Sequence, residues 1–122
     1  MKHLLKLTAI VEAATGLGFI VLPSLVVRLL LGAPLDSPAA VILGRVAGVA
    51  LLALGLTCWL ARDDTTSRAT RGIVGAMLLY NVGVAALLVL ANFGYGLHGF
   101  ALWPAVVLHA GMAIWCVGAR LF

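Results

Sequence analysis

Charge is what this chain has least of. Only 10% of its 122 residues are Asp, Glu, Lys or Arg, and just four of these are acidic. A soluble domain carries about 25% charged residues, so this chain cannot cover a water-facing surface. Cysteine is equally scarce. Cys58 and Cys116 are the only two, both inside apolar stretches, and no C-x-x-C pattern occurs. That excludes a thioredoxin-type motif and a zinc ribbon, and leaves two buried apolar thiols. Aromatics make up 7%, and no Arg/Lys stripe interleaves with them, so the net charge of +4 does not describe a nucleic-acid surface. No Ser-His-Asp set, phosphate loop or H-E-x-x-H motif is present.

What the chain has in abundance is apolar sequence, 64% of it, gathered into four long stretches. The first runs over about 4–22. Glu12 sits where the apolar core of a signal peptide would be, and no small-x-small cleavage site follows before Pro23, so this stretch reads as a retained span. Pro23 fixes φ and removes an N–H, which ends, kinks or restarts a helix. The two turns after it, to about residue 31, are too short to cross a bilayer and read as an interfacial helix with Arg28 toward headgroups. The alternative is one long kinked helix from Leu4 to Leu31. Ser37 and Pro38 are an N-cap and N1 pair that opens the second span, about 38–61. A hydrophilic loop over 62–71 precedes the third span, about 72–91. A turn-rich connector without formal charge precedes the fourth, about 100–118. Each span is near the ~20 residues that cross ~30 Å of hydrocarbon. The pattern predicts one all-α membrane domain, a transmembrane four-helix bundle with a short interfacial helix after the first span, whose partner is the lipid bilayer.

The basic residues orient it. Lys2, Lys6, Arg62, Arg68, Arg71 and Arg120 fall at one end of a four-span arrangement and only Arg28 at the other. The positive-inside rule then places both termini in the cytoplasm, as for a bacterial inner-membrane protein. Close helix packing in lipid needs small residues. The second span supplies Ala40, Gly44 and Gly48 at i, i+4 and i+8, a ridge suited to packing within the chain or to a homo-oligomer.

Each span carries one strongly polar side chain well inside it: Glu12, Arg45, Asn81 and His109. A charged group at the bilayer centre costs several kcal/mol (~2.5–3.5 on insertion scales), so such groups face a partner or a cavity. At a 1.5 Å rise, Glu12 lies about 12 Å and Asn81 about 14 Å from the cytoplasmic ends of their spans, and Arg45 and His109 about 11 and 14 Å from the outer ends. Three therefore share a central layer, with Arg45 slightly outward. Thr8, Thr15 and Gly16 share the Glu12 face, which points inward. Glu12 and Arg45 have opposite charge at comparable depth. They form an internal ion pair, line a ligand or proton site, or part company with Arg45 snorkelling to the interface. Tyr80 is a further candidate, joining through the helix interface.

Metal chemistry finds little support. A haem needs one or two axial ligands, and only His109 is internal. His109, Met112 and Cys116 share a helical face that suits Cu(I), but Met and Cys fill apolar cores routinely. No metal site is expected, and no cofactor is identified.

Gly16-Leu17-Gly18, Pro23, the short Leu25–Leu31 segment ending at Gly32, and Arg45-x-x-Gly48 followed by Leu54-Gly55-Leu56 together resemble small bacterial four-span proteins of the broad DoxX-like group. The resemblance implies contact with a quinone or another lipophilic molecule, because DoxX looks like a subunit of a quinone-reducing enzyme. It carries over no catalytic residue. Glu12 in the first of four helices is also similar in placement to the membrane-embedded Glu of small multidrug transporters. The chain departs from them at Arg45 and at the interfacial helix. The expected site is a polar intramembrane pocket of Glu12, Arg45, Asn81, His109 and Tyr80 that takes a small lipophilic, quinone-like molecule. The runner-up is proton-coupled transport through Glu12, and a structural or assembly role is third.

Overall fold

A computed structural model describes residues 1–121. The elements in order are α1 (Lys2–Val21), α2 (Pro23–Leu31), α3 (Pro38–Ala61), α4 (Arg68–Tyr95) and α5 (Leu102–Leu121), with no strand among the described residues. Four of them, α1, α3, α4 and α5, are long and apolar enough to cross a membrane, and the short α2 follows the first. The outward faces carry Ile10, Leu43, Leu60, Leu79, Leu87 and Ile114, all exposed. Apolar side chains covering the surface of all four long helices match a lipid solvent rather than water.

Local chemistry sets the helix ends. Ser37 Oγ accepts from the Ala40 amide at 3.1 Å, and Pro38 follows at the first helical position. Ser67 Oγ caps α4 by accepting from the Thr70 amide at 3.1 Å. The Asp64 carboxylate in turn accepts from the Ser67 amide at 3.1 Å. This capped start lies four residues before the expected one, and α4 also runs four residues past its expected end. Its 28 residues span about 42 Å, longer than the hydrocarbon layer. Gly32 and Gly96 adopt φ of 70° and 66° and stop α2 and α4.

Packing divides the bundle into two tight pairs, α1 with α3 and α4 with α5, that touch each other sparsely. Glycine lets the first pair close. A Cβ built on Gly48 would meet the Gly16 carbonyl oxygen at 2.6 Å, and one on Gly55 would meet the Ala13 amide nitrogen and the Ala9 carbonyl oxygen at 2.9 Å. The backbones of α1 and α3 are therefore in near contact. Gly44 faces Pro23, Leu35 and Phe19. The ridge of Ala40, Gly44 and Gly48, read from the sequence as an oligomer face or an internal one, is thus engaged within the chain at both glycines.

The two pairs meet at the end that carries Met1 and the 62–67 connector, here the proximal end. Leu4, Leu5 and Ala9 of α1, Cys58 of α3, Val74 and Met77 of α4, and Met112 and Cys116 of α5 form one buried cluster there. Lys2 pairs with Asp63 at 2.6 Å, tying α1 to the end of α3. At the distal end the pairs diverge, and α2 lies across the opening. The last carbonyls of a helix lack intrahelical partners. Here the connector before α5 supplies them: the Gly99 amide donates to the Leu30 carbonyl at 3.1 Å and the Ala101 amide to the Leu29 carbonyl at 2.7 Å.

The Lys2 ammonium and nearby Arg62 hold the Asp63 carboxyl below its ordinary value. A carboxyl lowered on folding contributes stability that is present above its unfolded pKa and lost as pH falls through the folded one. The pair is exposed, so the contribution is small. Asp63→Asn is expected to leave the thermal midpoint nearly unchanged at neutral pH and to remove a slight acid sensitivity. Melting curves across pH 3–7 check this, a window of about the carboxylate range.

Candidate functional site

Divergence of the two helix pairs leaves a cavity of about 770 Å³. Its walls are apolar: Phe19 from α1, Leu29 and Leu30 from α2, Leu51 and Leu54 from α3, Leu88 from α4. Its proximal end is polar, formed by Glu12, Tyr80 and His109. From there to the distal wall at Ala101 or Leu88 is about eight helical residues, roughly 12 Å. A cavity of this size, apolar with a few convergent polar groups, has the general character of small-molecule sites.

The polar end is built from three elements. Glu12 projects from α1 and is 3% exposed. Tyr80 of α4 donates its hydroxyl to Glu12 Oε2 at 3.2 Å. The Tyr80 and His109 rings meet edge to face, with centroids 5.6 Å apart, a favoured geometry for aromatic pairs. His109 Nδ1 lies 2.8 Å from Asn81 Oδ1, and Asn81 Nδ2 donates to the Met77 carbonyl at 2.7 Å. Asn81 itself is buried behind the ring and does not border the cavity. Thr8, one turn from Glu12 toward the proximal end, has the one buried side-chain oxygen without a hydrogen-bond partner among the described residues.

Of the residues expected at the site, the structure brings together Glu12, Tyr80, Asn81 and His109. It leaves out Arg45. That side chain is exposed and does not border the cavity. The ion pairs among the described residues are Lys2–Asp63 and Arg62–Asp63, so Glu12 has no cationic partner. The expected Glu12–Arg45 pair is therefore not formed, whether as a staple or as a shared binding group. The reason is rotational. At about 100° per residue, the cavity-lining residues of α3 (Ala47, Ala50, Leu51 and Leu54) fall on the side of the helix away from Arg45. The glycine face against α1 fixes that rotation. Arg45 lies seven residues from the distal start of α3, about 10 Å, within reach of the interface for a snorkelling side chain.

Met112 and Cys116, which share the His109 face, are buried in the proximal cluster with Met77 and Cys58, and both thiols are free. That cluster does not border the cavity.

Sequence reasoning missed the roof. Two backbone hydrogen bonds tie α2 to the 99–101 segment at the distal end, and the available signal was a glycine in each partner. A Cβ on Gly32 would strike the His98 carbonyl, and one on Gly99 the Leu29 carbonyl.

The chain matches no protein-family model, no curated protein and no solved structure.

Proposed function

We propose that this chain is a multi-pass protein of the bacterial inner membrane, with both termini cytoplasmic, that binds a small lipophilic, quinone-like molecule in the cavity between its helix pairs. One observation carries the reading: a cavity of about 770 Å³ whose walls are apolar and whose proximal end gathers Glu12, Tyr80 and His109. An elongated amphiphile fits that polarity, head at the polar end and tail along Leu51, Leu54 and Leu88. The orientation rests on the basic residues, six of which lie at the proximal end or in its connector. The resemblance to the DoxX-like group suggests a role for the chain as a redox or accessory subunit. A homo-oligomer remains compatible with this reading, through a face other than the glycine ridge.

Proton-coupled transport is the second reading. It draws on Glu12, a carboxyl that borders the cavity without a cationic partner. Proteoliposome uptake driven by a pH gradient separates the two, since transport requires Glu12 and binding alone gives no accumulation.

Ala105 lies one helical turn distal to His109 and lines the cavity, so enlarging it fills the space a head group would occupy. Ala105→Phe is expected to weaken binding about 10-fold or more, the consequence of losing one or two kcal/mol of contact, while the protein remains folded. Mass spectrometry of lipophilic molecules that copurify with wild type and with the variant checks this. A wild-type protein that carries no such molecule, and takes none up in nanodiscs, overturns the proposal.

A further inference from the structure

The hydrogen bonds at the polar end fix which kind of head group it accepts. Asn81 Nδ2 faces the Met77 carbonyl at 2.7 Å. A carbonyl oxygen only accepts, so the amide nitrogen must point there, which leaves Oδ1 as the acceptor presented to His109. His109 Nδ1, 2.8 Å from that oxygen, must then be the nitrogen that carries hydrogen. In the neutral ring one nitrogen donates and the other accepts. His109 Nε2 is thus a bare acceptor, the reverse of the tautomer that dominates for histidine in water.

Nε2 has no protein partner, yet it is not among the sealed polar atoms, of which the Thr8 hydroxyl is the one instance among the described residues. Nδ1 is turned to Asn81 behind the cavity wall, so the accessible nitrogen of this cavity-lining ring is Nε2. The same reasoning holds for Glu12. Its Oε2 accepts from Tyr80, and its Oε1, neither partnered nor sealed, accepts when the carboxyl is ionised and donates when it is protonated. Tyr80 spends its one hydroxyl hydrogen on Glu12 and has only lone pairs left to offer. Among the groups at the polar end, His109 Nε2 and the Tyr80 oxygen are left to a ligand as acceptors only, while the Thr15 hydroxyl, one turn distal to Glu12 in the cavity wall, both donates and accepts.

We infer that the cavity selects lipophiles whose head donates hydrogen bonds, and so binds a quinol in preference to its quinone, with Asn81 as the positioning residue that holds His109 in the accepting tautomer. This rests on the pocket reading above and specifies its ligand. A quinone presents only carbonyl oxygens, which can accept from the Thr15 hydroxyl but leave His109 Nε2 unpaired. A quinol presents two hydroxyl hydrogens. A desolvated acceptor left without its donor weakens binding by about 10-fold or more.

Two measurements test it. With His3→Gln and His98→Gln, His109 is the one imidazole left. Nitrogen NMR of this protein in micelles at about pH 8, above the ordinary histidine range, is expected to show Nδ1 protonated and Nε2 bare. The opposite tautomer overturns the inference. Anaerobic equilibrium dialysis of nanodisc-held wild type against a decyl-tailed benzoquinol and the matching benzoquinone is expected to favour the quinol by about 10-fold or more. Equal affinities, or tighter quinone binding, overturn the inference and leave the pocket reading standing. Binding of neither overturns both. Asn81→Leu releases the ring and is expected to narrow the ratio; an unchanged ratio in a folded Asn81→Leu protein removes Asn81 from the positioning role. If that variant does not fold, the wild-type ratio and the NMR tautomer still decide.

Discussion

Gly48→Val is expected to destabilise the α1–α3 seam sharply, as is Gly16→Val, whose Cβ would stand 2.7 Å from both the Gly48 carbonyl oxygen and the Leu52 amide nitrogen. A Cβ at residue 48 would stand 2.6 Å from the Gly16 carbonyl oxygen, 2.8 Å from Phe19 Cβ and 2.9 Å from Ile20 Cγ1. The first of these is backbone and cannot rotate away. The helices must separate, and separation breaks the reciprocal contacts at Gly16 and Gly55. In lipid there is little hydrophobic force to restore the pair by another route, because lipid tails are as apolar as the side chains. Overpacking typically costs about 1–3 kcal/mol and occasionally more, and the rigid seam puts Gly48→Val at or beyond the top of that range. Gly83→Ala is the control. Nothing lies within 4 Å of a Cβ there, and Gly in a helix interior is about 0.5–1 kcal/mol worse than Ala. The control is expected to raise the unfolding midpoint in detergent and Gly48→Val to lower it sharply. A Gly48→Val protein as stable as wild type would mean that α1 and α3 are not packed at this seam.

The same seam explains what the sequence made legible and what it hid. Helix number and type followed from apolar stretches of spanning length, and the start of α3 from its serine cap. Gly48 and Gly16 could be recognised as packing residues because only small side chains allow close approach. The ends of α4 were harder to read. Arg68 and Arg71 look like loop residues, yet Ser67 caps the helix before them, and Asn92–Tyr95 look like a turn, yet the helix runs on to Gly96. At the site, the faces of Glu12 and His109 were readable from their i±3 and i±4 neighbours. Thr15 and Ala105 line the cavity, while Thr8, Met112 and Cys116 are buried. Arg45 was misread because opposite charge at similar depth says nothing about helix rotation. Rotation is set by the glycine face, and Gly44, Gly48 and Gly55 turn Arg45 away from the cavity. The Asn81 lock was invisible for another reason: it depends on a backbone carbonyl one turn away, which no pattern of side chains reports.

Glu12→Leu is expected to make the protein more stable and, on the binding role proposed for the cavity, to abolish uptake of a lipophilic ligand. Glu12 is nearly fully buried and lies mid-span, with a tyrosine hydroxyl as its partner and no cation. Removing a group of this kind from mid-bilayer recovers up to about 3 kcal/mol of insertion cost. The Tyr80 hydroxyl loses one hydrogen bond, worth about 1 kcal/mol, but still borders the cavity. The balance is a net gain of about 1–2 kcal/mol. A site held at the expense of stability is common, in accord with the binding role proposed for Glu12. The ion-pair arrangement makes the opposite forecast: breaking a buried pair by removing one partner costs about 3–5 kcal/mol. Arg45→Leu completes the cycle. Arg45 is exposed and outside the cavity, so its loss is expected to leave ligand affinity unchanged. The double variant should then equal the sum of the singles within about 0.5 kcal/mol, as for independent sites. A coupling of several kcal/mol between Glu12 and Arg45, read from unfolding in the same detergent, would bring the pair back together and remove Glu12 from the cavity.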